Sequence, residues 1–141
     1  EEGEKCRGLH ILLAEDNVVN QKLAVKLLER NGHQVEVVGN GKLAFEAFKV
    51  GKFDLVLMDV QMPEMDGFAS TKAIRKWESE NDITPTQIVA VTAHALKGDK
   101  EKCIKAGMDG YLSKPINPRE LKKMLSTVEN SLTASTCNLR K

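Results

Sequence analysis

The stretch FDLVLMD, residues 53–59, decides the fold. From Phe53 to Met58 it is apolar but for Asp54, it is too short for an ordinary helix, and it stops on a carboxylate. Such a run matches a strand buried on both faces, which occurs where helices cover a parallel sheet from above and below. Two more runs of this kind lie on either side of it: Leu9–Ala14, interrupted by His10, and Ile88–Val91. Gln34–Val38 alternates, with Val35 and Val37 flanking Glu36, as a half-covered edge strand does. Gly110–Ser113 is the shortest candidate and also suits an edge.

Helical patterns fill the gaps. Val18–Asn31 places Leu23, Ala24, Leu27 and Leu28 toward a core, and Gly32 stops it. Asn40 is positioned to cap a helix bearing Ala44, Ala47 and Phe48, and Asp66 one bearing Phe68, Ile74 and Trp77. Lys97–Ala106 is a weak helix with few apolar residues, ended by Gly107. The last helix is the clearest, with Asn117 as cap, Pro118 in the first turn, and Leu121, Met124, Leu125 and Val128 recurring on one face. Five repeats of strand then helix predict an α/β fold: a parallel sheet with helices on both faces, joined by right-handed crossovers. The two weakest strands, the second and fifth, belong at the edges. The prediction is therefore the doubly wound, flavodoxin-like order 2-1-3-4-5. The domain is expected over 9–130, with linker or tail at 1–8 and 131–141.

The bulk properties agree. A chain of 141 residues, 41% hydrophobic and 29% charged, supports one core. A net charge of +1 gives no electrostatic case for nucleic-acid binding. No apolar run nears the roughly 18 residues a membrane span needs, and the charged start (Glu1, Glu2, Glu4, Lys5, Arg7) does not read as a signal peptide. Cys6, Cys103 and Cys137 are odd in number and widely spaced, which fits a reducing compartment such as the cytoplasm rather than a disulfide framework.

Ligands of doubly wound sheets bind at the carboxyl ends of the strands. Glu15 and Asp16 follow the first strand, Asp59 ends the third, Thr92 ends the fourth, and Lys114 and Pro115 follow the fifth. Taken singly, each has an ordinary explanation: an acidic pair caps a helix, an aspartate makes a turn, a lysine is solvated. Together, on four strands that are neighbours in the expected order, they predict one cleft holding three carboxylates, a hydroxyl and an ammonium. One lysine leaves that cluster negative, so either a carboxyl group takes up a proton or a divalent cation binds. A hard, oxygen-only site suits Mg2+. With the cation in place, one carboxylate can attack phosphorus, and metal and lysine offset charge on the phosphoryl oxygens.

At these residues the sequence closely resembles the receiver (response-regulator) domain family. The matching stretches are LLAEDN (Leu12–Asn17), LVLMDVQMPEMDG (Leu55–Gly67), VAVTAHA (Val89–Ala95) and GYLSKPI (Gly110–Ile116), and the likeness runs from about Leu9 to Val128. EDNVVNQK and AGMDGYLSKPI resemble receivers fused to hybrid sensor histidine kinases. The resemblance implies that Asp59 is the phosphoacceptor. It implies that Asp16, Asp59 and the backbone carbonyl of Gln61 hold Mg2+, with Glu15 acting through water. Lys114, joined to Pro115 by a cis bond, would pair with Asp59 and then with the phosphoryl group, while Thr92 and Tyr111 form the switch. The Glu15-Asp16 pair departs from the commoner Asp-Asp, in the way usual for the hybrid type.

The donor implied is a phosphohistidine on a histidine kinase or a histidine-phosphotransfer protein. Gln61 and His94, each two residues past a strand-end site residue, are expected to tune the lifetime of the phosphate. His10 and His33 lack metal-ligand spacing and are expected to be structural or exposed. The weak fourth helix is the expected mobile element. On a helical wheel Val18 and Val25 face outward near Gln21 and Lys22, and these four with Pro115 are the expected docking surface for a helical partner. The lack of an effector segment points to a piece of a larger kinase. The competing readings are a free-standing regulator, a magnesium-dependent aspartyl phosphatase, an unphosphorylated interaction module and a nucleotide-binding domain. A phosphatase of that kind usually needs a cap domain, for which there is no room. A nucleotide-binding domain would need a G-x-G-x-x-G loop after the first strand, where the acidic pair stands instead.

Overall fold

Strands and helices alternate in the computed structural model, which describes residues 9–60, 62, 65–92, 97–113 and 116–128, the backbone alone over 97–100. The elements are β1 His10–Ala14, α1 Val18–Arg30, β2 Gln34–Val38, α2 Gly41–Val50, β3 Leu55–Asp59, α3 Gly67–Glu80, β4 Gln87–Thr92, α4 Lys97–Ala106 and β5 Gly110–Ser113. A further helix, α5, covers 118–128. The sheet is five-stranded and parallel, in the order β2-β1-β3-β4-β5 that the sequence predicts.

Polar side chains start the helices. The side chains of Asn17, Asn40 and Asp66 accept from the backbone N–H groups of Asn20, Leu43 and Ala69, and Asn117 accepts from Arg119 and Glu120. Each satisfies donors that the first helical turn leaves without a partner. The acidic pair after β1 is therefore not the cap of α1; Asn17 is. At the other end of α1, Gly32 adopts φ 88°, and the N–H groups of Gly32 and His33 close onto the carbonyls of Glu29 and Leu28.

Alternation along the strands divides the core between the two faces of the sheet. Ile11, Leu13, Leu55, Leu57, Val89 and Val91 face one side, where Ala24 and Leu28 of α1 and Leu121, Leu125 and Val128 of α5 cover them. Leu12, Val56, Met58, Ile88 and Ala90 face the other, beneath Ala44, Phe48, Ile74 and Cys103. One expectation needs correction. Leu23 is 43% exposed and does not face the sheet, while Val25 packs against the core rather than pointing away from it. The covered stripe of α1 runs through Ala24, Val25 and Leu28, at the i, i+1, i+4 spacing of one helix face, and Leu23 lies about a quarter-turn off it.

Candidate functional site

The carboxyl ends of β1 and β3 place Glu15, Asp16 and Asp59 side by side. Ala14 sits opposite Met58, so the next residue along each chain segment, Glu15 after β1 and Asp59 at the end of β3, stands at the same level. Each of the three carboxylates offers an oxygen, and these oxygens lie within 4.8 Å of one another. Glu15 is 3% and Asp59 2% exposed, whereas Asp16 is open to solvent. Two buried carboxylates and an exposed third thus form an acidic cup among the described residues. Like charges this close repel, and a hard divalent cation relieves that repulsion while using oxygen ligands alone. The donor set therefore fits magnesium.

Backbone contacts hold the cup in shape. The Glu15 N–H donates to the Val38 carbonyl at 3.0 Å, extending the β1–β2 pairing by one residue. The Glu15 carboxylate accepts from the Asn17 N–H at 3.1 Å, and its carbonyl accepts from the Gln21 side chain. Past Asp59, the Val60 N–H donates to the Val91 carbonyl at 3.1 Å, and Gly67 returns to donate to the Val60 carbonyl at 2.9 Å. Gly67 lies so close that a Cβ there would stand 2.4 Å from the Asp59 carbonyl oxygen. Gly41 likewise abuts the Met65 carbonyl, to which its N–H donates. These two glycines let the starts of α2 and α3 approach the backbone of Met65 and of Asp59 and Val60 closely. Sequence reading passed over both. The signal available was a glycine at the start of each helix, directly after its cap residue.

Thr92 ends β4 at 5% exposure, opposite Ser113 of β5. The register sets Asp59 against Val91, one residue short of Thr92, so the hydroxyl-bearing residue stands one level beyond the Asp59 carboxylate on the neighbouring strand. Tyr111 is exposed on β5. Lys114, Pro115, Gln61 and His94 lie outside the described residues. Of the expected docking residues, Val18 and Lys22 are exposed, and Gln21, Lys22 and Val25 line a shallow groove of about 390 Å³ with Lys26, Glu29 and Val37. Val25 thus forms the floor of a groove rather than a projecting knob. His33 is buried, its Nδ1 accepting from the Leu9 N–H at 2.9 Å, and His10 rests on the Phe53 ring; both are structural. Among the described residues no helix is long and apolar enough to cross a membrane.

Comparison with known proteins gives a consistent picture. The family model for the response regulator receiver domain matches residues 11–126. The sensor histidine kinase GacS of Pseudomonas protegens is 48% identical over 125 residues, which cover 89% of this chain and 14% of that protein. Hybrid signal transduction histidine kinase I of Dictyostelium discoideum is 41% identical over 93% of this chain and 8% of its own length. This chain thus spans only a small part of these relatives. Among solved structures, the receiver domain of sensor histidine kinase PA1611 from Pseudomonas aeruginosa, with a magnesium ion coordinated in its active site cleft, superposes with a TM-score of 0.77 at 38% identity, covering 87% of this chain and 98% of that one. A chain from the Saccharomyces cerevisiae complex of the histidine phosphotransfer protein Ypd1 with the receiver domain of Ssk1 gives a TM-score of 0.86 at 30% identity, over 92% and 94% of the two chains.

Proposed function

The chain belongs to the response regulator receiver domain family, and from that premise we propose that it accepts a phosphoryl group from phosphohistidine onto Asp59 within a histidine-to-aspartate phosphorelay. The observation that carries this reading is the buried Asp59 carboxylate at the end of β3, within 4.8 Å of the Glu15 and Asp16 oxygens. In the transfer, a carboxylate oxygen of Asp59 attacks phosphorus. The P–O bond forms as the P–N bond to the donor imidazole breaks, and the imidazole keeps the electron pair. Asp16, Asp59 and the Gln61 carbonyl would hold magnesium, with Glu15 acting through a water. The bound ion supplies positive charge that offsets the phosphoryl oxygens. Lys114 adds a second positive charge, and the Thr92 hydroxyl donates to a phosphoryl oxygen of the product. Gln61 and His94 set how readily water reaches the acyl phosphate and hydrolyses it.

Signalling then requires an element with two arrangements. Thr92, α4 and Tyr111 form that element in this proposal. Two features support it: Thr92 ends β4 just before the chain reaches α4, and α4 brings few apolar residues to the core. The partner is a histidine-phosphotransfer protein or a histidine kinase, docked on Val18, Gln21, Lys22, Val25 and Pro115. The groove along α1 supports this surface, as does the likeness to a receiver solved in complex with such a protein. The larger protein is proposed to be a hybrid histidine kinase, with this receiver over 9–130.

The test is incubation with acetyl phosphate and magnesium, read by intact mass. The wild-type chain is expected to gain one phosphoryl group that hydroxylamine removes, and Asp59→Asn none. A phosphoryl group that persists in Asp59→Asn would refute the assignment.

A further inference from the structure

Far from the carboxylates, at the amino ends of β4 and β5, one guanidinium ties α3 to the turns that precede these two strands. Arg75 of α3 donates through Nε to the Gly107 carbonyl at 2.9 Å. Its Nη1 donates to Glu78 Oε1 and to the Thr86 carbonyl, each at 2.8 Å, and its Nη2 to Asp109 Oδ2 at 2.8 Å. The other Glu78 oxygen accepts from the Thr86 N–H at 2.8 Å. Asp109 Oδ2 also accepts from the Ile88 N–H at 2.9 Å, while the Asp109 N–H donates to the Ile88 carbonyl at 2.7 Å. Gly107 has φ 103°, and a Cβ there would press on Arg75 Cγ at 3.0 Å. The backbone therefore turns at Gly107 in a way that leaves room for the arginine.

We propose that Arg75 is a positioning residue for phosphoryl transfer, acting through Asp109 to fix the register of β5 against β4. The proposal rests on the phosphoacceptor reading above. β5 is only four residues long, with Gly110 opposite Val89 and Ser113 opposite Thr92. Slipping such a strand by one residue turns its side chains to the other face and shifts it by about 3.3 Å. What then stood beside Thr92 would change, and so would the level from which the chain leaves β5 for Lys114, the next residue in sequence. Asp109 stands immediately before β5 and is held to Ile88 by both its backbone and its side chain, so it is the pin. Arg75 holds the pin against α3. A lysine offers a point charge in place of the planar fork and cannot make these bonds together.

The carboxylates proposed to hold the metal sit at the carboxyl ends of β1 and β3, to which the bonds of the clamp do not reach. This separates a positioning role from a general loss of fold. The test compares Arg75→Lys and Asp109→Asn with the wild-type chain; the asparagine keeps an acceptor for Ile88 and removes the ion pair. Three quantities are read: phosphorylation rate with acetyl phosphate at saturating magnesium, magnesium affinity by NMR titration, and amide exchange of Tyr111 and Leu112. Both variants are expected to be phosphorylated about ten-fold more slowly, as a displaced site group predicts. Magnesium affinity should stay within about two-fold of wild type, while the β5 amides exchange faster. If Arg75→Lys does not fold, Asp109→Asn decides. Rates within about two-fold of wild type, or a magnesium affinity that falls in step with the rate, would overturn the proposal. A wild-type chain that takes no phosphate would overturn the phosphoacceptor reading and this inference with it.

Discussion

A methyl group added to Gly67 has nowhere to go. It would meet the Asp59 carbonyl oxygen at 2.4 Å and Val60 Cα at 2.9 Å, both backbone atoms where the chain leaves β3. Gly67→Ala is therefore expected to destabilise the fold by about 1–3 kcal/mol, as overpacking does, and to slow phosphorylation more than a surface change of equal stability cost. Urea melts with acetyl phosphate kinetics on the same variant check both. At this scale the carboxylates were legible in sequence because each sits where a strand ends, and strand ends are marked by a change in polarity. Thr92 was legible for the same reason. The Arg75 clamp was not. Arg75 and Asp109 are 34 residues apart, and nothing local to either signals the other. Glu78, 2% exposed, looks like any surface glutamate on an amphipathic helix until the fold closes over it.

Among the elements, α1 shows how a wheel drawn from sequence goes astray. With Leu23, Ala24, Leu27 and Leu28 all apolar, the centre of the stripe is ambiguous, and only packing decides it. Leu28 is fully buried, whereas Leu23 is 43% exposed. Leu28→Ala is thus expected to cost about 2–5 kcal/mol and Leu23→Ala less than about 0.5 kcal/mol, measured as the difference in urea unfolding free energy. Equal losses would restore the original face. The helix starts were legible because Asn40, Asp66 and Asn117 stand directly before apolar-periodic stretches. Asn17 was overshadowed by the acidic pair preceding it, which attracts a capping interpretation but is turned toward the cup instead. The central strands β3 and β4 needed no such adjustment, since runs buried on both faces leave little choice of side.

Across the whole molecule, a cup that holds magnesium, as proposed above, would couple folding to the metal. A ligand that binds only the folded chain adds RT ln(1 + [L]/Kd), about 2.7 kcal/mol at a hundred-fold excess over Kd. The urea midpoint of the wild-type chain is expected to rise with magnesium by a corresponding amount. Asp16→Asn removes one of three crowded charges, so without divalent cations it is expected to stabilise the fold by on the order of 1 kcal/mol while losing most of the magnesium increment. A variant that gains nothing in chelator and responds to magnesium as the wild type does would contradict the cup. Topology at this scale was almost wholly legible, because five alternating patterns with right-handed crossovers leave few arrangements and the two weak strands fall naturally at the rims.

Those rims have a bearing on association between copies. β2 spans five residues and β5 four, and β2 carries Gln34 and Glu36 among its outward positions. An intruding strand would find only about 13–17 Å of free ladder to grip, partly lined by polar groups, which is a poor template for stacking one copy on the next. Short margins with polar positions of this kind guard the sheet against pairing edge to edge with another copy.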